Sequence, residues 1–322
     1  MTEFKTYQDL LQRKDQPPGS SWGLFDNPQR GMAELAGTAQ VLRGVSSVTD
    51  GRTFSLDYTL DHFAPGIVGS RQAPHHEITS SHRDQRDDRL DGFWLQGSSH
   101  LDGLRHRRHH QYGFYNGFSD AAVADDPDVL GVEHWAAQPI VGRGIVIDVA
   151  GYLAEAGRTL SHLDGSLIEP EDLDAALARQ KVSFEPGDIA LIHTGWGEWW
   201  TSEASTEQKR EIAQNLRFSG LRNSEQTIAW FWDRQVALVG SDTAALEVLP
   251  VVPESTYGGD TDNGLIHQDL IALLGLPIGE LWKLGEIVQD SYATGRWDAL
   301  VVVKPLALRG GVGTPANALA IR

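Results

Sequence analysis

The sequence predicts an α/β protein whose sheet is covered by helices on both faces. Short apolar segments typical of buried strands recur along the chain, and helical segments lie between them. The 322 residues are enough for one large domain. Because the chain contains neither an internal repeat nor a low-complexity linker, we expect one compact unit.

The individual elements follow from periodicity and from turn residues. The predicted strands are FSLDYTLD (54–61), GRGIVIDVA, the apolar part of EPGDIALIHTGW, VALVGSDTA, WDALVVVKPLAL and ANALAIR, the last at an edge of the sheet. The predicted helices are TEFKTYQDLLQRK, which should end near Pro17-Pro18-Gly19, IEPEDLDAALARQK, STEQKREIAQN, SEQTIAWFWDRQ and DLIALLGLPI. PQRGMAELAGTAQVLRGV fits either an extended segment or a short helix. From about residue 65 to 92 the chain is polar, which predicts a long connection of the kind that forms lids or site walls.

Composition narrows the classes of function. The chain has 27 Lys and Arg against 44 Asp and Glu, a formal charge of −17, which argues against nucleic acid or an anionic membrane as partner. It has no cysteine, so a metal would have to bind to His, carboxylate or amide oxygen. The N-terminal segment lacks the apolar stretch of a signal peptide, and no window approaches a membrane span, so we expect a cytoplasmic enzyme.

Residues 96–106, QGSSHLDGLRH, contain the main candidate site. If this segment is extended, His100 and Asp102 point to the same face and can reach one ion. The glycines at 97 and 103 disfavour a helix, on which the two side chains would diverge. Imidazole plus carboxylate suits Zn²⁺ or Mn²⁺ better than Ca²⁺ or Mg²⁺. Spacing alone does not exclude a chance surface loop followed by a solvated basic patch, RHRRHH (105–110).

This segment resembles the signature H-x-G-T-H-x-D-x-P-x-H of the metal-dependent cyclase family, which includes bacterial kynurenine formamidase and isatin hydrolase. Gln96 falls on the first histidine of the signature, and His100, Asp102 and His106 fall on its second histidine, aspartate and last histidine. GRGIVIDVA, EPGDIALIHTGW, VALVGSDTAAL and IHQDLIALLGLPIGELWKL are similar, in this order, to further family segments. The resemblance covers roughly residues 90–320, and the first 60 or so resemble the extension of the longer members.

The resemblance implies a metal site completed by a later His and Glu, which here are His267 and Glu280. It implies that His106 is a catalytic base rather than a ligand. Gln96 departs from the pattern: a glutamine oxygen is a weaker, uncharged ligand that would shift the preference toward Mn²⁺, and the residue could orient substrate instead. The number of ions, one or two, stays open.

Three other residues are weaker candidates. Trp196, with its neighbours Trp199 and Trp200, could form the wall of an aromatic substrate pocket or simply pack in the core. Asp242 follows a predicted strand, where open α/β sheets place functional residues, and could position His106, contact substrate or cap a helix. His193 lies inside an apolar strand, which favours a core histidine.

The resemblance implies the swivelling β/β/α fold, a mixed sheet with flanking helices, usually in a homo-oligomer (a dimer or tetramer). We expect residues 1–60 to form an extension packed on a domain of residues 61–322. The leading hypothesis is a Zn²⁺- or Mn²⁺-dependent hydrolase of the amidohydrolase or lactonase type, in which the ion activates water to open an amide or lactone bond in a small cyclic or aryl substrate. The alternatives are a polyketide-type cyclase, in which the ion stabilises an enolate, and a non-catalytic metal- or ligand-binding relative.

Overall fold

A nine-stranded mixed sheet organises the protein in the computed structural model, which describes residues 4–64, 66–255, 257–259 and 263–322. The strands in these ranges are β1 (Thr53–Ser55), β2 (His75–Thr79), β3 (Asp87–Asp91), β4 (His100–Asp102), β5 (Ile140–Asp148), β6 (Leu167–Ile168), β7 (Ile189–His193), β8 (Gly220–Leu221), β9 (Leu238–Ser241), β10 (Ile278–Glu280), β11 (Asp298–Val303), β12 (Gly313–Pro315) and β13 (Ala318–Ile321). The order in the large sheet is β1-β13-β11-β5-β7-β9-β10-β4-β12. Two small sheets, β2-β3 and β6-β8, lie outside it.

Helices occupy the connections between strands. The α-helices are α1 (Tyr7–Leu11), α2 (Thr38–Ser46), α3 (Asp120–Asp125), α4 (Glu133–Ala137), α5 (Val149–Glu155), α6 (Pro170–Gln180), α7 (Trp196–Ser202), α8 (Thr206–Asn215), α9 (Glu225–Asp233) and α10 (Gly285–Thr294). Short 3-10 helices span Gly31–Leu35 and Tyr115–Gly117, and a π-helix spans Gln268–Leu273. The predicted mixed α/β architecture is therefore confirmed.

The middle of the sheet is parallel. β5, β7, β9 and β10 pair in parallel, whereas the strands on both flanks pair antiparallel. Every residue of β7 and β9 is buried, as expected for strands covered on both faces. The centre of the sheet is thus fully buried at these two strands, and the carboxyl ends of its parallel strands lie at one edge.

The register around β4 brings distant parts of the chain together. β4 pairs with β10 so that His100 lies opposite Glu280 and Asp102 lies opposite Ile278. β12 closes the other side of β4. A single antiparallel pair therefore places residues that are 180 positions apart next to each other.

The N-terminal segment contacts later elements. The indole of Trp22 donates to the carbonyl of Ala272 at 2.8 Å, and the amide of Tyr7 donates to Asp233 at 2.7 Å. β1 pairs with β13. The expected division into residues 1–60 and 61–322 stays a prediction.

Three secondary-structure predictions are wrong in detail. ANALAIR is not an edge strand, because β13 pairs with β1 on one side and with β11 on the other. In FSLDYTLD only Phe54 and Ser55 belong to a strand, β1. At Asp57 the side-chain carboxylate, rather than the backbone, accepts the amide of Ala318. The N-terminal helix is one short segment, α1, capped at its start by Thr6.

Two other segments take a definite form. PQRGMAELAGTAQVLRGV contains the 3-10 helix Gly31–Leu35 followed by α2. The polar connection contains the exposed hairpin β2-β3, and the part of the chain that the structure describes has no helix long and apolar enough to cross a membrane.

Candidate metal centre

Four buried side chains from three elements meet beside β4. The Nε2 atom of His100 lies 3.7 Å from Asp102 Oδ1 and 3.3 Å from Glu280 Oε2. The Nε2 atom of His267 lies 3.0 Å from Glu280 Oε1. One ligand atom each from His100, Asp102 and Glu280 fits within 4.8 Å, the spacing of a candidate metal-binding group.

Backbone contacts fix the orientation of His100. Its Nδ1–H donates to the carbonyl of Ser98 at 2.8 Å, so the neutral ring presents its lone pair at Nε2 to the neighbouring carboxylates. The indole of Trp282 donates to the His100 carbonyl at 2.9 Å and ties the two strands of the site together. The period-2 geometry of β4 then places Asp102 on the same face.

His267 is held in a similar way by a residue that the sequence analysis did not identify. The Nδ1–H of His267 donates to the carboxylate of Glu247, which is fully buried. Glu247 also accepts the backbone amides of Ile266 at 2.8 Å and His267 at 3.0 Å, and the side-chain amide of Asn223. The available signal in the sequence was a lone glutamate in the apolar run AALEVLPVV.

The charges in this group are strongly coupled. Burial alone would raise the pKa of Glu280, but the close imidazoles of His100 and His267 lower it to about 2. Burial opposes protonation of His267, yet hydrogen bonds to Glu247 and Glu280 raise its pKa to about 10. Without another cation, protons would therefore neutralise this group.

Two buried atoms in the group have no hydrogen-bond partner among the described residues. They are His100 Nε2 and Asp102 Oδ1, and both side chains are 1 % exposed. Leaving a buried polar atom unpaired costs about 1–3 kcal/mol. A divalent ion at this point would satisfy both atoms, and the mixed nitrogen and oxygen donors fit Zn²⁺ or Mn²⁺.

His106 and Gln96 lie next to the group. His106 Nε2 is 3.5 Å from Asp102 Oδ2, and its Nδ1 is 3.4 Å from the amide of Gln96. Burial lowers the pKa of His106, an effect that outweighs the opposing charge of Asp102. His106 is thus neutral near pH 7. The contact of Gln96 with His106 favours a role in orienting that imidazole. Its coordination of metal and its contact with substrate stay predictions.

The other candidates lie elsewhere. Trp196 is fully buried, stacked on Trp200 at 5.2 Å between ring centroids, so its predicted contact with substrate gains no support. Asp242 Oδ1 accepts the amide and hydroxyl of Thr194 at 2.9 and 2.8 Å. His193 is nearly buried and lies 2.8 Å from Asp148.

A cavity of about 420 Å³ opens beside His106. Its lining includes Arg107, Arg108, His110 and Gln268. It is large enough for a small molecule. A molecule in this cavity would contact the imidazole of His106, the residue that the family resemblance implies as the base.

Residues 54–248 match the sequence profile of the family described as "Putative cyclase", which is more than half of the chain. The chain belongs to this cyclase family. The predicted family resemblance is therefore confirmed. The match includes His100, Asp102 and His106, and it ends before His267 and Glu280.

Solved structures of similar fold agree with this membership. A crystal structure described as a novel cyclase is 29% identical, with a TM-score of 0.81, and the alignment covers 94% of this chain and 99% of that one. Isatin hydrolase A from Labrenzia aggregata, bound to benzyl benzoate, is 17% identical with a TM-score of 0.55, covering 88% and 97%. Isatin hydrolase A from Ralstonia solanacearum is 15% identical with a TM-score of 0.55, covering 85% and 93%. A search of curated proteins found no match.

Proposed function

We propose that this cyclase-family protein is a metal-dependent hydrolase that opens an amide C–N or lactone C–O bond in a small cyclic or aryl substrate. The observation that carries the proposal is the buried group of His100, Asp102 and Glu280. Two of its atoms, His100 Nε2 and Asp102 Oδ1, lie 3.7 Å apart and have no hydrogen-bond partner among the described residues. The likeness in fold to the isatin hydrolases supports the choice of reaction class.

The ligands in this proposal are His100, Asp102, His267 and Glu280. When bound, a divalent ion supplies Lewis-acid chemistry, acidifying water and polarising a carbonyl. With an ion bound, the carboxylates would supply negative charge, and the imidazoles of His100 and His267, which keep Nδ1–H for Ser98 and Glu247, would be neutral and offer their Nε2 lone pairs.

His106 is the proposed general base. Its Nε2 lies 3.5 Å from Asp102 Oδ2, beside the ligand group, which supports a role in taking up a proton from the attacking water. The amide of Gln96 has nearly the same shape when its oxygen and nitrogen exchange places, so its oxygen can accept Nδ1–H and leave Nε2 free. His106 then returns the proton to the leaving nitrogen or oxygen.

Elemental analysis and a substrate panel test the proposal. We expect purified protein to contain Zn or Mn, to lose hydrolytic activity on treatment with a chelator, and to regain it when the ion is restored. The panel would contain a cyclic amide, an arylformamide and a small lactone, with mass spectrometry of the products. Addition of one water supports hydrolysis, whereas ring closure without water would replace the proposal by the cyclase reaction.

Asp102→Asn tests the site itself. The variant removes a charged ligand, so we expect it to lose the ion held by this group, together with activity. Asp125→Asn, at an exposed position in α3, is the matched control and should retain both. Full activity of metal-free protein would overturn the proposal.

A further inference from the structure

A second group of potential ligands lies at the carboxyl ends of the central strands. His193 ends β7, and Asp242 directly follows β9, the parallel neighbour of β7. Glu198 lies in the first turn of α7, the helix that follows β7. One ligand atom from each of these three residues fits within 4.8 Å. The group shares no residue with the candidate metal centre.

The imidazole of His193 is oriented by a carboxylate. Its Nδ1 lies 2.8 Å from Asp148 Oδ1, and its Nε2 lies 3.4 Å from Glu198 Oε2. Asp148 is itself held by the hydroxyl of Tyr292 at 2.5 Å and the amide of Gly151 at 3.0 Å. Metal-binding histidines commonly donate Nδ1–H to a carboxylate in this way and coordinate through Nε2. Glu247 and His267 repeat the same arrangement at the candidate metal centre.

Each of the two carboxylates has one oxygen without a hydrogen bond among the described residues, although Glu198 Oε2 lies 3.4 Å from His193 Nε2. Asp242 is fully buried, and its Oδ1 is used by Thr194, but its Oδ2 has no hydrogen-bond partner among the described residues. Glu198 Oε2 is also buried without a hydrogen bond in that part of the chain. Such atoms are costly unless a cation or donor compensates them.

We propose that His193, Glu198 and Asp242 bind a second divalent cation. One imidazole nitrogen with two carboxylates suits Zn²⁺, Mn²⁺ or Co²⁺ rather than Ca²⁺ or Mg²⁺. The side chain of Glu198 is 38% exposed, so the group borders on solvent at this residue. The alternative is a closed ion-pair network, in which protonated His193 alone neutralises the carboxylates.

Metal stoichiometry of the intact protein distinguishes a bound second cation from a closed ion-pair network. Chelator-stripped protein would be dialysed against Co²⁺, and separately Zn²⁺, and the bound metal measured by mass spectrometry. The wild type should bind one ion more than Glu198→Gln. Asp102→Asn should retain one ion. The double variant, which combines Asp102→Asn with Glu198→Gln, should bind metal at least tenfold more weakly than Asp102→Asn. Glu203→Gln, an exposed change just after α7, is the control and should match the wild type.

The outcomes separate this proposal from the proposed function. If Asp102→Asn and the double variant bind the same amount of metal, the second site is overturned. If Asp102→Asn binds as much as the wild type while Glu198→Gln still loses one ion, the second site stands and the proposed catalytic metal fails. His193→Gln gives an independent test, with circular dichroism showing that each variant is folded.

Discussion

At the scale of single residues, hydrogen bonds at Nδ1 decide which imidazole nitrogen faces the candidate metal centre. His100 uses a backbone carbonyl and His267 uses the carboxylate of Glu247. In both cases the donated Nδ1–H leaves Nε2 directed at Glu280. The orientation of the proposed ligands thus depends on partners that would not themselves touch an ion.

Replacing His106 by Ala should abolish most turnover while leaving metal bound. Loss of a general base typically lowers kcat by about 10²–10⁴-fold. Bound metal and kcat would be measured on the same preparation, with His110→Ala as control, because His110 is in the same cavity but contacts Gln268. An equal loss of metal would make His106 a ligand instead.

Replacing Glu247 by Gln should weaken metal binding without removing a ligand. The single oxygen of a Gln side chain cannot accept all the hydrogen bonds that the carboxylate accepts from the imidazole and amide of His267 and from Asn223, so the orientation of His267 is held less firmly. Metal affinity should fall about 10–100-fold, measured by competition with a chelator. Glu254→Gln, an exposed change nearby, should have no effect. A fall in kcat with unchanged metal affinity would contradict this positioning role.

The residue scale also shows what sequence could and could not predict. The shared face of His100 and Asp102 could be predicted, because side chains two residues apart in an extended segment point to the same side. The roles of Glu247 and Asn223 depend on a fold that brings them to His267, and no local spacing encodes that contact. For the same reason Trp196 could not be assigned to pocket or core before its burial was known.

At the scale of elements, the pairing of β4 with β10 builds the site. The register places His100 opposite Glu280, and the ring of Trp282 packs on the glycines of β9 and β10. A Cβ on Gly279 would lie 2.5 Å from that ring, and one on Gly240 would be equally close. Both glycines leave the space that the indole fills beside the candidate ligands.

Gly279→Ala should therefore destabilise the protein and loosen the site. Overpacking of this kind costs about 1–3 kcal/mol, and movement of β10 should also weaken metal binding through Glu280. Urea unfolding would measure the stability, with Gly142→Ala in β5 as control, because its nearest heavy atom would be 3.5 Å away. Similar unfolding free energies for the two variants would contradict the packing argument.

Element boundaries were less predictable than element types. The apolar segments of β7, β9 and β11 were identified because buried parallel and neighbouring strands are apolar along their length. The end of β1 was missed because Asp57, which is distant in sequence from β13, terminates the pairing through a side-chain hydrogen bond. The position of β13 inside the sheet likewise depends on where β1 docks, which its own sequence does not specify.

At the scale of the whole molecule, the first and last strands of the described chain meet in the sheet. β1 and β13 pair, and the carboxylate of Asp57 accepts the amide of Ala318 at 2.7 Å, while its Oδ1 has no hydrogen-bond partner among the described residues. Burial raises the pKa of Asp57 from 3.8 to about 6, despite the hydrogen bonds from the backbone that lower it. The junction is therefore a source of pH-dependent stability.

The sign of this dependence follows from the raised pKa. A group that binds its proton more tightly when folded stabilises the protein fully below its unfolded pKa, and this stabilisation is lost as the pH rises through the folded value. The free energy of unfolding should thus fall between about pH 4 and pH 6 through Asp57, by roughly 1–3 kcal/mol.

Asp57→Asn should remove that part of the pH dependence. The side-chain oxygen of Asn can still accept the amide of Ala318, and no ionisation remains. The difference in unfolding free energy between wild type and variant, measured by urea unfolding from pH 4 to pH 7, should shift in favour of the variant as the pH rises. Asp61→Asn, an exposed change four residues along, should run parallel to the wild type. If the Asp57→Asn curve is also parallel, the Asp57 carboxyl is not the group that makes the stability of the junction between β1 and β13 depend on pH.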